Sequence, residues 1–219
     1  MLEEEKIINL KRELIEYATL VEGMIEKSIK GLLRKEKGLL IEVIETDEPK
    51  ANDLEIKLDE MCTIMVAQYQ PKAKVLRTIL MILKINNDLE RMADHSVNIA
   101  ERSLLLIERP QIKLLDDIQK LAEVTKSMLS DSINSFVNED VKLAKEVCER
   151  DNVVDESRDK ITMRLIDIMC SDCSTIEPSL HLLIIARNLE RIADLSTNFA
   201  EDVIFMVKGK VIKHQREEL

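Results

Sequence analysis

Apolar residues recur at steps of three and four along almost the whole chain, the periodicity of amphipathic helices. The spacing predicts a first helix over 4–34, with Leu10, Leu14, Tyr17, Val21, Met24, Ile25, Ile29 and Leu32 on its inner face. A second is expected over 38–69, stopped by Pro71. A third starts near Lys72 and ends before Pro110, burying Ile79, Ile82, Leu83, Leu89, Met92, Ala93, Ile99 and Leu104. The pattern then restarts, predicting helices over 114–137, 140–169 and 177–207. Pro178 suits a first helical turn, where its missing N–H costs nothing, and Gly209 is expected to close the last helix. The polar tail 210–219 is expected to fray. Helices of about 30 residues are roughly 45 Å long, which fits an elongated bundle with short connections.

The chain repeats itself. Leu89-Glu90-Arg91-Met92-Ala93-Asp94 returns 100 positions later as Leu189-Glu190-Arg191-Ile192-Ala193-Asp194. Ser96, Asn98, Ala100 and Glu101 match Ser196, Asn198, Ala200 and Glu201 at the same offset. Upstream, the segment 42–47 matches 146–151. Two motifs repeated in the same order mean a duplicated three-helix unit. The expected fold is therefore all-α, a tandem of two three-helix bundles covering 1–109 and 110–219. Past Asp47 the register slips by one residue, with Pro49 at the slip, so a kink or break is expected there.

Composition agrees with helices. Only five aromatic residues are present, so Leu, Ile, Val and Met must form the core, and charged residues make up 34% of the chain. A net charge of −10 excludes nucleic acid as a general partner, since such binders need clustered Lys and Arg. No apolar run reaches the roughly 18–20 residues that cross a bilayer, and residues 1–11 are too charged for a signal peptide. A cytoplasmic location is expected. Cys62, Cys148, Cys170 and Cys173 then read most simply as small apolar core residues.

The candidate chemistry is carboxylate. Glu90, Asp94, Asn98 and Glu101 fall within about 80° of one another on the third helix, and Glu190, Asp194, Asn198 and Glu201 repeat them. Asp151, Asp155 and Asp159 form a ladder on the fifth helix. Asp47, Asn52, Glu55 and Asp59 form a rougher one on the second, with Ala51 where a perfect ladder would place an acid. Like charges four residues apart repel, and a cation would relieve them; oxygen ligands suit magnesium, manganese, calcium or iron. Against that, Arg91 and Arg191 are placed to pair with Asp94 and Asp194, which would make the stripes solvated salt-bridged faces. None of His95, His181 and His214 has a Glu three residues before it, as a di-iron bundle site needs. Four glycines (Gly23, Gly31, Gly38, Gly209) form no phosphate-cradling loop, and no nucleophile with its base is found, so no enzyme site is written.

These residues resemble the PhoU family of phosphate-uptake regulators. The resemblance is carried by Gln70-Pro71, Arg77, the run 88–101, its second copy 188–201, and the Val207-Lys208-Gly209 and His214 ending. It implies a tandem of three-helix bundles with Glu/Asp-x-x-x-Asp motifs holding metal clusters. The motifs fall at Glu90 with Asp94, Glu190 with Asp194, Asp151 with Asp155, and Glu55 with Asp59. The full expected metal set is Glu90, Asp94, Glu101, Glu190, Asp194, Glu201, Asp151, Asp155, Asp159, Asp47, Glu55 and Asp59, with iron first and manganese, zinc or magnesium as alternatives. The implied role is a negative regulator, not an enzyme, linking a phosphate ABC transporter to a sensor histidine kinase from the membrane periphery; a homodimer is left open. A plain helical scaffold with solvated acidic faces, or a carboxylate-cluster metalloenzyme, are the rival readings. Departures from the family pattern are Ala93 and Ala193 in place of glycine, and Leu195 where a histidine is expected.

Overall fold

The computed structural model describes residues 2–109, 112 and 114–209. Among these residues seven α-helices follow in order: α1 Leu2–Arg34, α2 Lys37–Glu42, α3 Glu48–Tyr69, α4 Ala73–Leu106, α5 Leu115–Asn138, α6 Val141–Ser171 and α7 Ile176–Lys208. Six are long, α2 is a short lead-in to α3, and no strand occurs among the described residues. Pro110, the tail 210–219 and His214 lie outside the described residues.

Each boundary has a local cause. Gln70 takes the left-handed conformation at φ 46°, ends α3 and is followed by Pro71. Asp140 caps α6, its carboxylate accepting from the amides of Lys142 and Leu143. Gly209 stops α7 at φ 69°, a conformation that costs glycine least. Gly31 has a different necessity: a Cβ there would lie 2.5 Å from Leu40 Cδ2, so its absence lets α2 fold back on α1.

Helices α1, α3 and α4 pack together, as do α5, α6 and α7. The most extensive helix pairing of all is α4 on α7, which joins the two units, and α1 on α5 adds to the junction. All eight inner-face residues expected on the first helix are buried; on the third, Leu83 and Leu104 are only partly so. The duplication is legible in burial. Leu14 and Ile118, Met24 and Met128, and Leu32 and Phe136 are buried pairs 104 apart on α1 and α5. Small residues repeat too: Ala93, Ser96 and Ala100 on α4 are buried like Ala193, Ser196 and Ala200 on α7. Ser132 on α5 donates to the Ser196 carbonyl at 2.9 Å, a contact that needs close helix backbones.

The one-residue slip takes the form of a π-helical turn, Val43–Asp47, just before Pro49. Before it, buried Leu40 and Val43 correspond to Ala144 and Val147, 104 positions on. After it, buried Ala51, Leu58 and Cys62 correspond to Val154, Ile161 and Leu165, 103 on. A π turn absorbs one extra residue without breaking the helix. The core face thus returns to register, and every position beyond Asp47 has a shifted counterpart.

Two cysteines depart from the core expectation. Cys62 is buried and Cys148 half-buried, but Cys170 and Cys173 are exposed, past the last buried residue of α6, Leu165.

Candidate functional site

The third helix of each unit carries its acidic stripe beside the second, forming two acidic faces: α3 with α4, and α6 with α7. With the shifted register, Glu48 corresponds to Asp151, Asn52 to Asp155 and Glu55 to Arg158. The faces are related but differ in charge.

On the α6–α7 face an arginine sits among the acids. Arg158 lies 3.6 Å from Asp155, 2.6 Å from Asp159 and 3.6 Å from Glu190. Arg191 lies 3.2 Å from Asp194 and 3.7 Å from Glu190. Asp194 is half-buried, and burial, with Glu190, Asp151 and Asp155 close by and Arg191 opposing, pushes its carboxyl up to about 6. Glu201, further along, is half-buried.

On the α3–α4 face no arginine among the described residues is placed as Arg158 is. Glu48, Glu55, Glu90 and Asp94 make no ion pair among the described residues, and Glu101 beyond them is exposed. Arg91 turns to Asp88 at 3.8 Å rather than to Asp94, unlike Arg191 in the second unit. The carboxyls of Glu48, Glu55 and Glu90 are each raised, in every case chiefly by burial and then by acidic neighbours. Asp94 is among those neighbours for all three. Beneath them, Tyr17 of α1 is fully buried, with a hydroxyl that has no hydrogen-bond partner. That phenol is raised by burial and then by the charges of Glu55, Glu90 and Asp94.

Asp47 does not belong to either face. The π turn directs it inward, where it is buried and accepts from Lys27 at 2.7 Å; Glu42 shares the same ammonium at 2.6 Å. Glu48 takes the place expected of Asp47. Asp59 is held by the Asn86 amide at 2.9 Å. Asn98 is exposed, its amide donating to the Asp94 carbonyl.

The metal expectation is overturned. Among the described residues no three His, Cys, Asp or Glu side chains gather closely enough to share an ion. The physical reasons are visible in the partners: Lys27 takes Asp47, Asn86 takes Asp59, and Arg158 and Arg191 neutralise Asp155, Asp159, Glu190 and Asp194. A compact cation requires several oxygens within about 2.0–2.6 Å of one point. Iron, manganese, zinc and magnesium clusters on the twelve carboxylates are thereby removed from the picture. Sequence reasoning missed Glu48, Tyr17 and Arg158. The slip at Pro49 is the signal for Glu48 and Arg158; helix periodicity marks Tyr17 only as core.

The architecture defines a duplicated three-helix module with two acidic faces and, among the described residues, no helix long and apolar enough to cross a membrane. A sequence model of the PhoU domain matches residues 14–103 and again 118–203. The chain is 40% identical to a phosphate-specific transport system accessory protein PhoU homolog of Aquifex aeolicus, over 94% of this chain and 92% of that one. It is 31% identical to PhoU homolog 2 of Thermotoga maritima, over 98% of this chain and 91% of the relative. The crystal structure of PhoU from Pseudomonas aeruginosa superposes with a TM-score of 0.91 at 28% identity, covering 94% of this chain and 99% of that one. The chain belongs to the PhoU family. Its relatives are named as accessory proteins, not as enzymes.

Proposed function

We propose that this chain is a metal-free helical adaptor that restrains phosphate uptake and phosphate-starvation signalling. It would bind a phosphate ABC transporter and a sensor histidine kinase from the membrane periphery, using its acidic faces as recognition surfaces. The relatives' names, which place them with the phosphate-specific transport system, support the transport half of this role. The division into units 1–109 and 110–219 goes with it, since each unit brings one acidic face to a partner.

The observation that carries the proposal is the group Glu48, Glu55, Glu90 and Asp94, left without ion pairs among the described residues. Glu48, Glu55 and Glu90 are half-buried and Asp94 is exposed beside them, and like charges set together without counter-ions are destabilising in a free protein. A complementary basic surface relieves that repulsion and steers association. An adaptor of this kind acts by preferring one state of its partner, which shifts the partner's equilibrium.

The test is complementation. In a host whose own PhoU-family gene is deleted, this chain is expected to restore repression of a phosphate-starvation reporter in phosphate-rich medium. It is also expected to co-purify with the transporter and the kinase. A reporter that stays fully derepressed with the chain well expressed and folded would overturn the role.

A further inference from the structure

Among the described residues, Arg77, Arg102 and Arg158 each bury the Nε atom without a hydrogen bond. Two of them have negative charge beside them. Arg158 lies among Asp155, Asp159 and Glu190. Arg77 stands at the C-terminal end of α7, its guanidinium carbon 3.5 Å from where a Cβ on Gly209 would lie, against the partial negative charge of a helix end. Arg102 of α4 makes no hydrogen bond and no ion pair among the described residues.

What Arg102 faces follows from the junction. Helices α4 and α7 run antiparallel, with His95 against Asn188 and Lys84 donating to Asp202. Seven residues on from His95 is Arg102, and seven back from Asn188 is His181. Seven residues come within about 20° of two full turns, so Arg102 and His181 oppose each other as His95 and Asn188 do. His181 also buries a nitrogen, Nδ1, that has no partner. Both residues are half-buried, and the Arg102 Nη atoms and the His181 Nε2 reach solvent unpartnered. Glu177, one turn before His181, is taken by Arg109 at 2.8 Å, and Glu101 belongs to the exposed acidic stripe. The equivalent positions in the duplicated frame are Asp202 and Met81, and there the charge is answered within the chain by Lys84. The counterpart of Lys84 is Ile184, so Arg102 has no such answer.

We propose that Arg102 and His181 form a seat for a small tetrahedral oxyanion of the phosphate class, bound at the junction with one ligand from each unit. This goes beyond the adaptor role and does not rest on it. A half-buried charge without a counter-ion costs free energy that an ion of opposite sign recovers. The guanidinium offers parallel N–H groups to two oxygens, and the imidazole offers a donor to a third. A halide has no separate oxygens for the two groups to share.

The probe is inorganic phosphate, titrated at constant pH and ionic strength against chloride, with the imidazole proton signals followed by NMR. The His181 signal is assigned by its loss in His181→Gln. It is expected to shift saturably with phosphate. Arg102→Gln should weaken binding at least about tenfold, the loss of a charge-assisted pair of hydrogen bonds. Arg102→Lys keeps the charge without the fork and is expected to fall between that variant and wild type. Arg77→Gln removes an equal charge near the other end of α4 and should stay within about twofold of wild type, since that charge lies well beyond a Debye length away. Phenyl phosphate separates the two sources of this chemistry: tighter binding than inorganic phosphate assigns the seat to a phosphate ester, weaker binding to the free ion. A His181 signal that phosphate does not move saturably, or equal losses with Arg102→Gln and Arg77→Gln, would overturn the proposal. The titration reads this seat alone, so it can fail while complementation succeeds, and the reverse.

Discussion

His95 on α4 and Asn188 on α7 meet across the junction of the two units, the imidazole Nδ1–H donating to the amide Oδ1 at 2.8 Å. The same amide donates in turn to the Ile184 carbonyl at 2.8 Å, which fixes its orientation. In the duplicated frame the equivalent residues are Leu195 and Asp88, both buried, so one polar contact of the junction exists in a single copy. Burial, aided by Arg91 and Arg191 and opposed by Asn188 and Asp94, holds His95 below its ordinary value of 6.5.

A pH dependence follows. With the folded pKa depressed, the unfolded chain takes up the proton first, so stability is lost as pH falls through about 6.5 and below. His95→Gln keeps a hydrogen-bonding group but cannot titrate. Urea unfolding between about pH 8 and pH 5 is expected to show a smaller loss for this variant than for wild type. Equal losses would remove His95 as a contributor.

Asp194 works with the opposite sign. Its carboxyl is raised from an ordinary 3.8 to about 6, so its contribution is fully present below 3.8 and is lost as pH rises through 6. Asp194→Asn removes that ionisation. The variant should be more stable than wild type at about pH 8, with the advantage shrinking towards pH 4. A variant less stable at pH 8 would show that the Arg191 pair outweighs the repulsion from Glu190, Asp151 and Asp155.

Gly31→Ala is expected to destabilise the fold by about 1–3 kcal/mol, the usual range for overpacking, because its Cβ would meet buried Leu40 at 2.5 Å. Gly23→Ala is the control. Nothing lies within 4 Å of a Cβ there, and helix propensity favours alanine by up to ~1 kcal/mol. Unfolding midpoints of the two variants should therefore move in opposite directions.

Chelation should leave the fold untouched. An ion bound at 100 times its Kd would add about 2.7 kcal/mol, or roughly 5–10 °C in Tm for a chain of this size. Thermal unfolding before and after exhaustive EDTA treatment is expected to superpose, and a drop of that order would restore a bound ion to the account.

Much of this molecule was legible in its sequence because helix periodicity and duplication are local signals. Leu14, Met24, Leu89 and Ile99 are read as core from spacing alone, and the structure buries all of them. The slip beyond Asp47 was visible too, but not its consequence. Whether the extra residue is absorbed as a kink or as a π turn depends on which side chains α1 and α4 offer, so spacing puts Asp47 on the acidic face, whereas it is buried against Lys27. Partner choice was the other limit. Arg91 and Arg191 occupy equivalent positions, yet one turns to Asp88 and the other to Asp194, because Asn188 replaces the aspartate in the second unit. Charge counting along a stripe cannot separate acids awaiting a cation from acids that already hold one.

The most direct test of the adaptor account joins fold and function at the first acidic face. Glu90→Gln and Asp94→Asn together keep side-chain size while removing two unpaired charges, so circular dichroism and Tm should show an intact fold. In the complementation host with phosphate plentiful, this double variant is expected to lose repression that the wild-type chain restores. Repression as strong as wild type, from a double variant equally well folded and expressed, would contradict the claim that this face is where the partner is recognised.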